Sequence, residues 1–171
     1  MARWVEALNE AVGRVVAWFA LMMVLIQFIV VILRYVFSVG SIPLQESILY
    51  THGILFLLAA GFTLKRDGHV RVDIFYREAS ARKKAIIDLS GVLVMLWPVC
   101  FATWYFGWSF IANSWRIREG SLEPSGLHLV FLLKTIILVF AALLALQGLS
   151  LAARSILVIK GRADTNIPPK L

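Results

Sequence analysis

Four stretches of this chain contain no Asp, Glu, Lys or Arg: residues 15–33, 47–64, 89–115 and 135–153, which are 19, 18, 27 and 19 residues long. A helix rises about 1.5 Å per residue, so roughly 20 residues cross a hydrocarbon core of about 30 Å. Each stretch is long enough to do so. With 60% hydrophobic residues over 171 positions, a water-soluble fold would have more apolar surface than one small core can hide. The pattern therefore predicts an all-α, polytopic membrane protein with four transmembrane helices. The first stretch is too long for a cleaved signal peptide, and Arg34-Tyr35 after it resembles no cleavage site, so it is read as a retained span.

Between the second and third stretches lies the one long charged passage, residues 63–88. It holds seven basic side chains (Lys65, Arg66, Arg71, Arg77, Arg82, Lys83, Lys84) and four acidic ones (Asp67, Asp73, Glu78, Asp88). With four spans, this passage shares a side with both termini. That side carries 13 of the 17 Lys and Arg residues; the other carries Arg34, Arg116, Arg118 and Lys134. Basic residues are retained on the cytoplasmic side, which predicts cytoplasmic N- and C-termini. The net charge of +7 is accounted for by topology and gives no support to a nucleic-acid partner. The single cysteine, Cys100, sits in an apolar run and has no intrachain partner for a disulfide.

The expected layout is one four-helix membrane domain, 1–162, with spans near 15–34, 46–65, 82–115 and 128–154, and a flexible cytoplasmic tail, 163–171. Residues 1–14 place Trp4, Val5, Leu8, Ala11 and Val12 at helical spacing, either as an amphipathic helix in the membrane interface or as an extension of the first span. The second span is expected to end on a left-handed Gly68. A short interfacial helix is expected near 72–78, and Ser80 is expected to cap the third helix. Pro98 predicts a kink in that helix. Ala141, Ala145, Gly148 and Ala152 form a small-residue stripe on the fourth span, suited to close helix packing.

Ion-coupled carriers usually hold an ionisable group in mid-membrane, and the four stretches contain no acid or Lys/Arg. Gln27 and Gln147 are the strongly polar side chains deep in the spans, and an interhelical hydrogen bond is their ordinary role. His52 and His128 both fall near the outer surface, which leaves a haem-bearing membrane anchor as an alternative reading. A four-span assembly protein without a transport role is another. Glu46, just before the second span, is expected to pair with Arg34. No nucleophile–base set, phosphate loop or metal-ligand spacing is present, so no enzymatic activity, cofactor or metal is expected.

The passage Lys65-Arg-Asp-Gly-His-Val-Arg-Val-Asp-Ile74, followed by Ile87-Asp-Leu-Ser-Gly91, resembles the small, DctQ-like permease subunit of TRAP (tripartite ATP-independent periplasmic) transporters. Gln45-Glu46, Pro98, Ser114-Trp115, Glu119, Gly126-Leu127, Lys134 and Leu146-Gln-Gly148 extend the resemblance over nearly the whole chain. His128 departs from it, at a position where proline is expected. The resemblance implies a bacterial inner-membrane subunit beside a large permease subunit, which holds the substrate and sodium sites. It also implies a periplasmic binding protein that delivers an organic acid or similar polar solute, with symport driven by ion gradients. In that setting Glu46, Lys65, Asp67, His69, Arg71, Asp73, Gln147 and Gly148 are candidates for the subunit interface or for structure. Arg116, Arg118, Glu119 and Glu123 are candidates for docking the binding protein. Membrane lipid is the remaining expected partner.

Overall fold

Lipid offers no hydrogen bonds to a backbone, so long apolar runs must satisfy their own polar groups as helices. The computed structural model describes residues 2–69, 76 and 78–161. Among these residues the chain is all-α with no strand: α1 Ala2–Tyr35, α2 Ile42–Lys65, α3 Ala81–Gly91, α4 Trp97–Ile117 and α5 Val130–Ile159. α3 and α4 are joined through a wider π turn, Val92–Leu96, into one rod. Four helical segments are long and apolar enough to cross a membrane: Trp4–Tyr35, Ile42–Lys65, Ala81–Ile117 and Val130–Ile159.

The element ends follow from local chemistry. Ser80 accepts a hydrogen bond from the Lys83 backbone N–H and caps α3, as expected. α2 closes with Asp67 N–H donating to Leu64 O and Gly68 N–H to Thr63 O, at 3.3 and 2.9 Å. The left-handed residue in this closure is Asp67 (φ 58°), not Gly68, which corrects the sequence expectation. Aspartate tolerates that conformation because its short polar side chain bonds locally. The break expected at Pro98 lies just upstream of it. Proline lacks an N–H and its ring crowds the carbonyl four residues back, and the turn before it opens so that Trp97 N–H reaches Val92 O.

α5 is the centre of the fold. It packs against α1, α2, α3 and α4, whereas α4 touches neither α1 nor α2 among the described residues. An α1–α2 hairpin therefore flanks α5 on one side and the α3–α4 rod on the other. Ala141, Gly148 and Ala152 are buried on α5. A Cβ on Gly148 would lie 2.6 Å from the Leu96 side chain, so the π turn seats directly on this glycine. Trp97 and Trp104 donate their indole N–H groups to the carbonyls of Ala145 (3.4 Å) and Leu138 (3.1 Å), which ties the rod to α5.

Of the two readings of the N-terminal residues, the extension of the first span is the one observed. Residues 2–14 are the first turns of α1, not a separate amphipathic helix, and at 34 residues α1 runs about 51 Å. The expected interfacial helix at 72–78 lies outside the described residues apart from Tyr76 and Glu78, and the tail from 162 onward lies outside them as well.

Candidate functional site

The polar side chains gather at the two ends of the bundle. At one end α1, α2 and α5 meet around the first turns of α1. Glu6, Asn9, Glu10 and Gly13 recur at helical spacing and therefore share one face. That face turns inward. Asn9 is fully buried and donates to Gln147 Oε1 on α5 at 3.1 Å and to Val5 O at 3.3 Å. A Cβ on Gly61 would overlap Asn9 Oδ1, and one on Gly13 would overlap the Phe62 side chain, so α2 reaches α1 through these two glycines. Glu10 takes both Lys65 Nζ and Arg66 at 2.6 Å. Glu6 accepts from Ser150 Oγ at 2.7 Å and from the Arg154 guanidinium at 2.5 Å.

The orientation of this segment reverses what an amphipathic pattern suggests for a soluble protein. Its polar stripe faces the bundle, and Trp4 (78% exposed) and Leu8 face outward. Because Glu6 reaches α5 near its C-terminus and Glu10 reaches the end of α2, the N-terminal turns of α1, the C-terminal end of α2 and the C-terminal end of α5 share one side.

At the other end a loop between α4 and α5 folds onto the first turns of α2. Glu46 Oε2 accepts from the Leu127 backbone N–H at 2.6 Å, and its Oε1 accepts from Ser121 Oγ. The expected Glu46–Arg34 pair is thus replaced: Glu46 is committed to the loop, and Arg34 is exposed. Arg118 adopts φ 48° to end α4, a left-handed conformation unusual for a side chain of its size. Glu119 meets Lys134 at 2.5 Å, and the Lys134 ammonium lies 3.9 Å from the centre of the Phe110 ring. The hydrogen bond from Lys134 holds the Glu119 carboxyl below its ordinary range. Trp115 donates to Thr135 Oγ1 at 2.8 Å, tying α4 to α5 beside the loop.

Of the sequence candidates, Lys65, Gln147 and Gly148 lie in interhelical contacts, and Glu46 in a helix-to-loop contact. Asp67 forms the α2 closure, and His69 is an exposed residue following it. Arg71 and Asp73 lie outside the described residues. Among the docking candidates, Glu119 is paired with Lys134, and Arg116 donates to Asn113 Oδ1 at 2.8 Å. Arg118 and Glu123 are exposed. Sequence reasoning missed Asn9, Gly13 and Gly61. The signal for the first two was the 6, 9, 10, 13 spacing itself. Gln27 is exposed on α1, and His52 stacks on Phe56 within its own helix. Among the described residues no group of His, Cys, Asp and Glu could hold a metal ion.

Residues 23–158 match the family described as tripartite ATP-independent periplasmic transporters, DctQ component. The chain belongs to the DctQ family. It is thus a multi-pass membrane component of a TRAP transporter, the small permease subunit, in a family of transporter components rather than enzymes. The resemblance drawn from the Lys65–Ile74 passage is borne out. No curated protein and no solved structure matches the chain. Glu46 and the α4–α5 loop it holds lie within the DctQ match, whereas Glu6, Asn9 and Glu10 lie before it.

Proposed function

We propose that this DctQ subunit acts as the fixed scaffold for the large permease subunit of its transporter. The transporter would take up an organic acid or similar polar solute, delivered by a periplasmic binding protein and driven by an ion gradient, with sodium the expected ion. One observation carries this reading. Among the described residues every buried polar side chain is neutral: Asn9, Thr51, Ser114, Gln147, Ser150 and Ser155. Moving an ion or an anionic solute through the membrane calls for ionisable groups in its interior. The ion pairs of Glu6 with Arg154, Glu10 with Lys65 and Arg66, and Glu119 with Lys134 lie toward the two ends of the bundle. The exposed apolar faces of α1 (Trp18, Leu25, Phe28) and α4 (Phe101, Phe106) also suit a protein that packs beside another.

The proposed location is the bacterial inner membrane with both termini in the cytoplasm, supported by the basic excess on the side that the termini share. His69, Arg71 and Asp73 are proposed to shape the inner loop against the large subunit. Co-expression with a tagged large permease tests the scaffold role. The wild-type chain should co-purify with it, and a variant with His69, Arg71 and Asp73 all replaced by alanine should do so poorly. Undiminished recovery of that variant would remove the loop from the interface. Failure of the wild-type pair to co-purify would remove the scaffold role itself.

A further inference from the structure

The loop between α4 and α5 is fastened at its neck, whereas Leu122 at its tip is fully exposed among the described residues. Its neck is closed by Ser121 N–H donating to Leu127 O at 3.1 Å and by the two Glu46 hydrogen bonds that reach across from α2. Within the neck, Glu123 N–H donates to Ser121 Oγ at 3.1 Å and Gly126 N–H to Glu123 O at 3.0 Å. A Cβ on Gly126 would lie 2.7 Å from Glu46 Oε1, and one on Gly120 would overlap the His128 ring, so neither position has room for a side chain. Beyond this neck Leu122 is fully exposed, followed by exposed Glu123, Pro124 and Ser125.

A loop ordered in advance and carrying an unburied apolar side chain has already met much of the entropic cost of binding. We propose that residues 122–125 are a preformed docking knob, with Leu122 the anchor for an apolar recess on a soluble partner. The inference rests on the proposed function, under which that partner is the solute-binding protein. A soluble partner fits better than lipid because the Glu123 carboxylate beside Leu122 opposes burial in a bilayer. Glu46 is then a positioning residue: it touches no partner and holds the knob in shape. This narrows the docking surface read from the sequence, since Glu119 and Arg116 are already engaged within the chain.

The test uses the complex of this chain with its large permease in nanodiscs, and purified binding protein as the probe. Leu122→Asp should leave co-purification intact and weaken binding by about tenfold, the effect of losing an interface anchor. Glu46→Ala should weaken binding by a smaller factor and also mobilise a spin label at Ser125→Cys in a Cys100→Ala background. Leu122→Asp should leave that label immobile, which separates anchor from positioner. A photo-crosslinker at position 122 should yield an adduct with the binding protein. A Leu122→Asp complex that assembles and binds as tightly as wild type overturns the knob, as does a crosslinker that labels lipid alone. A wild-type chain that fails to co-purify with the permease takes the functional reading down together with the knob.

Discussion

The two ends of the bundle use the same chemical groups for different purposes. At the end shared by the termini, Glu6 and Glu10 run from helix to helix, and Asn9 and Gln147 lock α1 to α5 through neutral amides. At the opposite end, Glu46 runs from helix to loop and fixes the outline of a surface. A carboxylate between helices determines how the spans stand relative to one another. A carboxylate under a loop determines what a partner meets. The first arrangement should therefore govern global stability and the second should barely affect it.

The largest expected effect tests the first half of that contrast. Gly61→Leu forces a side chain into the space held by Asn9 Oδ1, so overpacking and a broken amide pair should cost about 3 kcal/mol. Thermal unfolding in detergent measures it, and a near-neutral result would mean that α1 and α2 do not approach as described. Asn9→Ala should cost about 1 kcal/mol, because an interhelical hydrogen bond between neutral groups in a membrane protein is typically worth about 0.6 kcal/mol and seldom much above about 1 kcal/mol. Glu10→Gln should cost about 0.5 kcal/mol, since Arg66 is 42% exposed and solvent screens the pair.

The second half predicts smaller changes in stability. Glu46→Ala should leave the unfolding midpoint almost unmoved while protease cleavage within 122–125 accelerates; a large loss of global stability would erase the distinction between the ends. The smallest effect concerns acid. Because Lys134 holds the Glu119 carboxyl below its ordinary range, the stabilisation from this pair is complete above the unfolded-state value. It disappears only as pH falls through the lower folded value. The difference in unfolding midpoint between wild type and Glu119→Gln should therefore persist from neutral pH into the ordinary carboxylate range and vanish below it.

Much of this was legible in the sequence, for reasons that particular residues make plain. Uncharged runs leave the backbone no choice but helix, and Ser80 capped α3 because a serine ahead of an unbroken helical run has a local donor to satisfy. Gln147 met the expected interhelical partner in Asn9, whereas Gln27, read the same way, is exposed on α1. What could not be read was direction and reach. The spacing of Glu6, Asn9, Glu10 and Gly13 is visible in the chain, but periodicity does not say which medium each face meets. In a membrane protein the polar stripe turns toward the bundle. Glu46 lies 75 residues from Ser121 and 81 from Leu127, and no local pattern announces so distant a pairing. At the end of α2, glycine was the obvious left-handed residue, yet the hydrogen-bond register put Asp67 there.

The most direct test of the scaffold role is reconstitution into liposomes under a sodium gradient, with uptake of the solute carried by the binding protein as the readout. We predict no accumulation with this chain alone or with the large permease alone, and accumulation when both are present with the binding protein. Gradient-driven accumulation by this chain alone would contradict the scaffold role.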